Sequence, residues 1–349
     1  MIRVLIVDDS AVARQSLRFI LESHEGLTVV GEAKNGEEAV AMTERLEPDV
    51  ITMDIRMPRM DGLDAVQQIM ATNPVPIVVV TSVDLGQETE LSREAMKRGA
   101  LTVVERPMSA DQRTRERFAR RLVRKVKLMS DVKVVHRSRS TIRTPAKGAG
   151  TTSPASGPRP KADKVEIVAI GASTGGPAAL HQVIGSLPVD FPVPILVVQH
   201  ISFGFVDGLA SWLDKDCVLR VKVAEASDRV EPGVVYVAPD DHHLGISSYG
   251  RVRLSSDGDV DGHRPSATYL FNAVAQSYGP AAVAAILTGM GRDGAAGMKA
   301  LHNRGAVTIA QNEQSCVVFG MPKEAIALGA IDREVSLDQI GPTLASLCR

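Results

Sequence analysis

Short β-branched apolar runs alternate along this chain with segments whose apolar residues recur at helical spacing. The first run, Ile2–Val7, is closed by Asp8, Asp9 and Ser10, and a helical segment follows with Ala11, Leu17, Ile20 and Leu21 apolar. Residues 29–33 predict a second strand and Gly36–Leu46 a second helix. Three further strands are predicted over 48–53, 77–80 and 103–104, ending at Asp54, Thr81 and Arg106-Pro107. This alternation predicts a doubly wound parallel sheet, in which ligands sit at the carboxyl ends of strands. A closing helix opens on Ser109-Ala110-Asp111-Gln112, a capping-box pattern. Its apolar residues Phe118, Leu122, Val126 and Met129 stand among Arg and Lys, as on a surface helix docked by one stripe.

The periodicity lapses over 130–163. Residues 132–162 contain no Asp or Glu and are rich in Ser, Thr, Pro, Gly, Lys and Arg. Such a stretch buries too little apolar surface to offset its ordering entropy, and it predicts a flexible basic linker between domains at 1–129 and 164–349. Beyond it the alternation resumes. Strands are predicted from Val165 to the glycine-rich turn at Gly171 and over 194–199, 220–224, 234–238, 252–254, 281–288 and 307–310. Helices are predicted over 177–186, 204–213 and 266–278, and from Gly294 to about Asn303. The fold class is α/β: two doubly wound domains, the first flavodoxin-like, the second Rossmann-like with a mostly parallel sheet.

Composition narrows the function classes. Of 349 residues, 44% are hydrophobic but only 3% aromatic, so the cores are aliphatic and stacking surfaces for single-stranded nucleic acid are scarce. The net charge of -1 aims no field at DNA or a membrane. No helix-turn-helix, basic domain or aromatic RNA platform is present, which disfavours a nucleic-acid output. Cys217, Cys316 and Cys348 stand far apart in no ligand spacing, and no segment reads as a signal peptide or membrane span. A cytoplasmic, monomeric protein without membrane insertion is expected.

Two groups of residues carry candidate chemistry. Asp8, Asp9 and Asp54 fall at strand ends of one sheet. Three converging carboxylates repel unless a cation joins them, and hard oxygen donors suit Mg²⁺, beside which a carboxylate can accept phosphate. The second group starts at Gly171-Ala172-Ser173-Thr174-Gly175-Gly176, a turn between a strand and a helix. A dinucleotide loop would want glycine where Ser173 stands and a ribose-binding acid where His200 stands. A nucleophile elbow would want a base and an orienting acid at other strand ends, where His200 and Asp293 fall. Each alone has an ordinary reading as turn serine, structural histidine or loop acid. Three complementary residues at strand ends of one sheet favour catalysis, in a chain order unlike that of α/β-hydrolases.

Asp8-Asp9, Met53-Asp54-Ile55-Arg56-Met57-Pro58, Thr81-Ser82 and Arg106-Pro107 resemble the response-regulator receiver family. The resemblance implies that Asp54 accepts phosphate, that Asp8, Asp9, Asp54 and the carbonyl of Arg56 hold Mg²⁺, and that Thr81 and Arg106 act as switch residues. Arg106 stands where lysine is usual, and Val103 where an aromatic is frequent. Ile170-Gly171-Ala172-Ser173-Thr174-Gly175-Gly176-Pro177, Val198-Gln199-His200, Thr288-Gly289-Met290-Gly291-Arg292-Asp293-Gly294 and Cys316-Val317-Val318-Phe319-Gly320-Met321-Pro322 resemble the catalytic domain of chemotaxis protein-glutamate methylesterases. After Arg264-Pro265-Ser266 this chain has Ala267-Thr268, where an acid commonly stands.

This second resemblance implies hydrolysis of glutamate methyl esters on chemoreceptor cytoplasmic helices, with methanol released, and glutamine deamidation. Ser173 is the expected nucleophile, His200 the base and Asp293 its orienter, with the backbone N–H groups of Thr174 and Met290 as oxyanion donors. A chemotaxis histidine kinase is the expected phosphodonor. The unphosphorylated receiver is expected to cover the strand-end face of the second domain.

Overall fold

The computed structural model describes residues 1–81, 95, 98, 102–107, 111–130, 164–201 and 203–349. The predicted linker after Ser130, Ser82 and the Ser109-Ala110 start of the predicted capping box lie outside the described residues.

The first sheet is built from β1 (Ile2–Val7), β2 (Leu27–Ala33), β3 (Val50–Met53), β4 (Ile77–Thr81) and β5 (Thr102–Glu105), in the order β2-β1-β3-β4-β5 with every pair parallel. Helices α1 (Ala11–Glu22), α2 (Gly36–Leu46), α3 (Gly62–Thr72) and α4 (Gln112–Ser130) pack on it. A parallel sheet covered on both faces needs near-continuous apolar strands, and Val50, Ile51, Ile77, Val78 and Val79 are fully buried. Ser10, Asn35 and Asp61 cap α1, α2 and α3 by accepting a backbone N–H with their side chains. Asp111 does the same for α4, its Oδ1 taking the Thr114 N–H at 2.8 Å. The predicted stripe Phe118, Leu122, Val126 and Met129 is buried.

The pattern assigned no element between Asp54 and residue 77, where the structure has α3. The helix begins on Gly62, a residue of low helix propensity. A Cβ there would collide with the backbone carbonyl of Asp54, so this glycine lets α3 start directly beneath the end of β3.

The second sheet has seven strands: β6 (Ile167–Ala172), β7 (Ile195–Gln199), β8 (Arg220–Val223), β9 (Val234–Val237), β12 (Ala282–Ile286), β13 (Val307–Gln311) and β14 (Arg333–Val335). Their order is β14-β13-β12-β6-β7-β9-β8, and all pairs are parallel. A separate antiparallel hairpin is formed by β10 (His243–Ile246) and β11 (Val252–Ser255). Alternate residues of β6 serve opposite faces. Val168 and Ile170 pack with α5 (Gly176–Gly185), α6 (Val206–Asp216) and α10 (Leu337–Leu347). Ile167 and Ala169 pack with α7 (Ala267–Ser277), α8 (Ala295–Asn303) and α9 (Met321–Ala327).

The two units touch. Phe205 is 8% exposed because it joins the cluster of Met57, Ala95 and Val103, against which Ile201 also packs. Met290, Val317 and Val318 pack against the cluster that contains Phe118, Leu122 and Val126 of α4. Among the described residues no helix is long and apolar enough to cross a membrane.

Candidate active site

In both sheets the strand order reverses once, and the crevice at such a reversal is where ligands bind in open α/β sheets. In the second sheet the chain runs outward from β6 to β7 and then returns to β12 on the other side of β6. Ser173 follows β6, His200 follows β7, and the loop carrying Asp293 follows β12. Ala172 pairs with Gln199, so Ser173 and His200 are the next residues on adjacent strands. The amide of Gln199, 3% exposed, ties these ends together: its Nε2 donates to the carbonyls of Ser173 (2.8 Å) and His200 (2.9 Å). Gly175, at φ 77°, turns the chain into α5 where a Cβ would meet Val317 at 2.6 Å.

The structure brings His200 and Asp293 together, with Nε2 of His200 at 2.8 Å from Oδ2 of Asp293. The other ring nitrogen, Nδ1, is buried and has no hydrogen-bond partner among the described residues. The serine and histidine are therefore neighbours on the sheet without a hydrogen bond between them. The backbone N–H groups of Thr174 and Met290 likewise have no partner among the described residues.

Asp293 is held more heavily than the sequence suggested. Its Oδ1 accepts from the Ser266 hydroxyl (2.6 Å) and the Thr268 N–H (2.9 Å), and its Oδ2 from the Ala267 N–H (2.7 Å) as well as from His200. Both backbone donors lie in the first turn of α7, where unsatisfied N–H groups and the helix dipole favour an anion. Burial pushes the Asp293 pKa up. The hydrogen bond and charge of His200, with the bonds from Ser266 and Thr268, outweigh that and hold the carboxyl well below its usual range. The Ala267-Thr268 departure also has a local consequence. Thr268 Oγ1 accepts the Gly294 N–H at 2.7 Å and lies 3.0 Å from Oδ2 of Asp261, so a hydroxyl and a remote carboxylate stand where one acid is common.

Ser266, Gln199 and His263 went unassigned in the sequence, although the signal at Ser266 was the motif that contains it. His263 stacks face to face on His200, with ring centroids 4.0 Å apart and planes 9° from parallel. Its pKa is pushed down to about 4, first by burial and then by the neighbouring His200. Arg124 and Lys125 of α4 act in the same direction, which sets the basic face of α4 beside this histidine pair. A cleft of about 90 Å³ opens next to the pair, lined in part by Phe203, Asp240, Asp241 and Arg264.

In the first sheet the reversal lies between β1 and β3, and the acids are there. One carboxylate oxygen from each of Asp8, Asp9 and Asp54 lies within 4.8 Å of the others. Asp54 is 7% exposed, and its pKa is raised to about 6 by burial and then by Asp8. Three hard donors that repel one another fit a divalent cation such as Mg²⁺. Thr81 is buried at the end of β4, and its carbonyl accepts the Arg106 N–H at 2.7 Å. The side chain of Arg106 reaches Asp8, with Nη1 at 2.7 Å from Oδ2.

Comparison with known proteins agrees with the two sheets. Residues 4–116 match the response regulator receiver domain family, and residues 168–344 match the CheB methylesterase family. A protein-glutamate methylesterase/protein-glutamine glutaminase of Myxococcus xanthus is 45% identical over 353 residues, covering 100% of this chain and 97% of the relative. One from Syntrophus aciditrophicus is 44% identical over 352 residues, covering 99% of this chain and 98% of that protein. The crystal structure of the Thermotoga maritima CheB methylesterase catalytic domain, 41% identical, matches with a TM-score of 0.51 over 53% of this chain and 99% of that one.

Proposed function

Because the chain belongs to the CheB methylesterase family, with a response-regulator receiver ahead of the catalytic domain, we propose that it hydrolyses glutamate methyl esters on chemoreceptor cytoplasmic helices under phosphorylation control. Glutamine deamidation at such positions uses the same acyl chemistry. The observation that carries this reading is His200, fixed to Asp293 at 2.8 Å through Nε2 with its buried Nδ1 unpartnered, beside Ser173 at the strand reversal. Ser173 attacks the ester carbonyl while Nδ1 of His200 takes its proton and returns it to the departing methoxide, releasing methanol. Water then repeats the sequence to free the glutamate. Asp293, ionised throughout, keeps the tautomer that leaves Nδ1 bare and stabilises the imidazolium. The free N–H groups of Thr174 and Met290 stabilise the tetrahedral oxyanion.

The receiver restrains this chemistry by position. Met290 carries one oxyanion N–H and packs its side chain against the α4 cluster, so the closed arrangement occupies the approach to Ser173. Asp54 accepts a phosphoryl group from a histidine kinase. Asp8, Asp9, Asp54 and the Arg56 carbonyl would hold Mg²⁺, which offsets the charge brought by phosphate.

The direct test incubates methyl-labelled receptor with the protein, with and without a small phosphodonor and Mg²⁺. Labelled methanol should appear and rise with the phosphodonor; none under either condition would exclude the esterase reading. Phe205→Ala, which removes an apolar anchor between the units, should raise unstimulated methanol release severalfold and shrink the phosphodonor response. Unchanged basal release would mean that this contact does not restrain the enzyme.

Arg106 gives a separate expectation. Its guanidinium holds an oxygen of Asp8 that the cation needs, and a planar fork on a buried carboxylate is hard to displace. Arg106→Lys should tighten Mg²⁺ binding about tenfold by calorimetry, since a compact ammonium competes less well for that oxygen. Equal affinity in the two proteins would rule out that competition.

A further inference from the structure

The base of the proposed triad is held in its plane by one hydrogen bond. His200 is tied to Asp293 through Nε2, and among the described residues its Nδ1 has no partner. Held by its covalent bond at Cγ and by that one hydrogen bond at Nε2, the ring can still turn about the line between them and carry its other nitrogen off the serine. The only ring stacked on His200 among the described residues is that of His263, 4.0 Å away and 9° from parallel. The ring nitrogens of His263 make no hydrogen bond to any described residue, so the side chain contributes a flat face and not a proton relay.

The chain goes to some length to fix that face. Val260 and His263 exchange two backbone hydrogen bonds, at 3.1 and 3.0 Å. The next residue, Arg264, donates from Nη1 to the carbonyls of Ser256 and Asp257. Ser266, three residues on, donates its N–H to the buried His243 at 3.2 Å and its hydroxyl to Asp293. One rigid segment therefore sets both the stacking partner of the base and the donor that orients its acid.

We propose that His263 is a positioning residue for the esterase reaction: its ring is a planar stop that keeps the imidazole of His200 aligned with Ser173. This rests on the triad reading above. The face also suits the moment of reaction. A neutral aromatic ring lying flat on His200 attracts the imidazolium formed when the serine proton is taken, whereas a second charged ring would repel it. Burial keeps His263 in the neutral form at pH 7.

Two variants separate planarity from volume. His263→Phe keeps a flat face without a titrating nitrogen, and His263→Leu fills the space without one. With methyl-labelled receptor and the phosphodonor-activated full-length protein, His263→Leu should lower kcat on the order of 10²-fold, the loss expected of a displaced catalytic group, with KM nearly unchanged. His263→Phe should recover all but a few-fold of kcat. If Leu matches the parent, or Phe falls as far as Leu, the planar-stop role is wrong. Ser173→Ala run alongside keeps the outcomes distinct, because methanol release by that variant overturns the triad itself and normal release by His263→Leu overturns only the positioning role.

Discussion

Ser173→Ala should abolish measurable methanol release while leaving the protein folded, a loss on the order of a millionfold in kcat. The size follows from the chemistry. Without the hydroxyl no acyl-enzyme forms, and His200 has no nucleophile to activate. What remains is the electrostatic help of the oxyanion donors and binding, worth about 10³–10⁴ over water in triad hydrolases. The folded state should hardly notice. The Ser173 backbone is fixed by Thr288, Gly176 and Gln199, and none of these bonds uses the side-chain oxygen. The unfolding midpoint should therefore match the parent, as should phosphorylation at Asp54. Near-normal methanol release from the folded variant would remove Ser173 from the mechanism.

The sheets could be read from sequence, and the candidate triad residues placed at strand ends, because each depends on short-range pattern. Ile2–Val7, Gly36–Leu46 and the runs leading to Ser173, His200 and Asp293 are apolar strands and amphipathic helices closed by turn residues. Elements whose local signal is weak were hidden. β10 contains His243 and Gly245, buried because α7 covers them. β14 is a three-residue edge with exposed Arg333 and Glu334. α9 and α10 contain Pro322 and Pro342, and α10 keeps its proline inside the helix because tertiary packing on α5 offsets the lost hydrogen bond. The partners of Asp293 were hidden for a different reason. Ser266 lies 27 positions away, and nothing in spacing says that the first turn of α7 aims its N–H groups at that carboxylate. Nor could spacing say which imidazole nitrogen meets the acid. The choice of Nε2 follows from where Asp293 and the end of β7 stand in three dimensions.

The same long-range assembly links control to chemistry. Met290, whose N–H is a proposed oxyanion donor, packs its side chain against the apolar cluster that includes α4 residues. Arg124 and Lys125 of the same helix act on His263, helping to lower its pKa. On the proposed restraint, withdrawal of α4 would do two things at once: clear the approach to Ser173 and take away positive charge that acts on His263. A receiver attached elsewhere on the catalytic domain could do the first without the second.

Asp293→Asn should lower kcat about 10⁴-fold and, unlike Ser173→Ala, also destabilise the fold. The carboxylate takes four hydrogen bonds, two on each oxygen, and every donor is fixed by the first turn of α7, by Ser266 or by His200. An amide has one accepting oxygen. If its NH₂ faces His200 and Ala267, Nε2 must become an acceptor, the ring proton moves to Nδ1, and the base has no lone pair for Ser173. If it faces Ser266 and Thr268, the hydroxyl can turn to accept but the Thr268 N–H is left buried against another donor. A stranded buried donor costs about 1–3 kcal/mol, so urea unfolding should report a loss of that order at pH 7. The pH dependence fixes the sign. The folded pKa of Asp293 lies below its unfolded value of about 3.9, so its contribution is fully present above that value and is lost as pH falls below it. The stability gap between parent and Asp293→Asn should therefore hold from pH 7 down to about 4 and narrow below that. A gap that fails to narrow below about pH 4 would mean that Asp293 is not held ionised in the folded protein, and a kcat within about tenfold of the parent would mean that it does not orient the base.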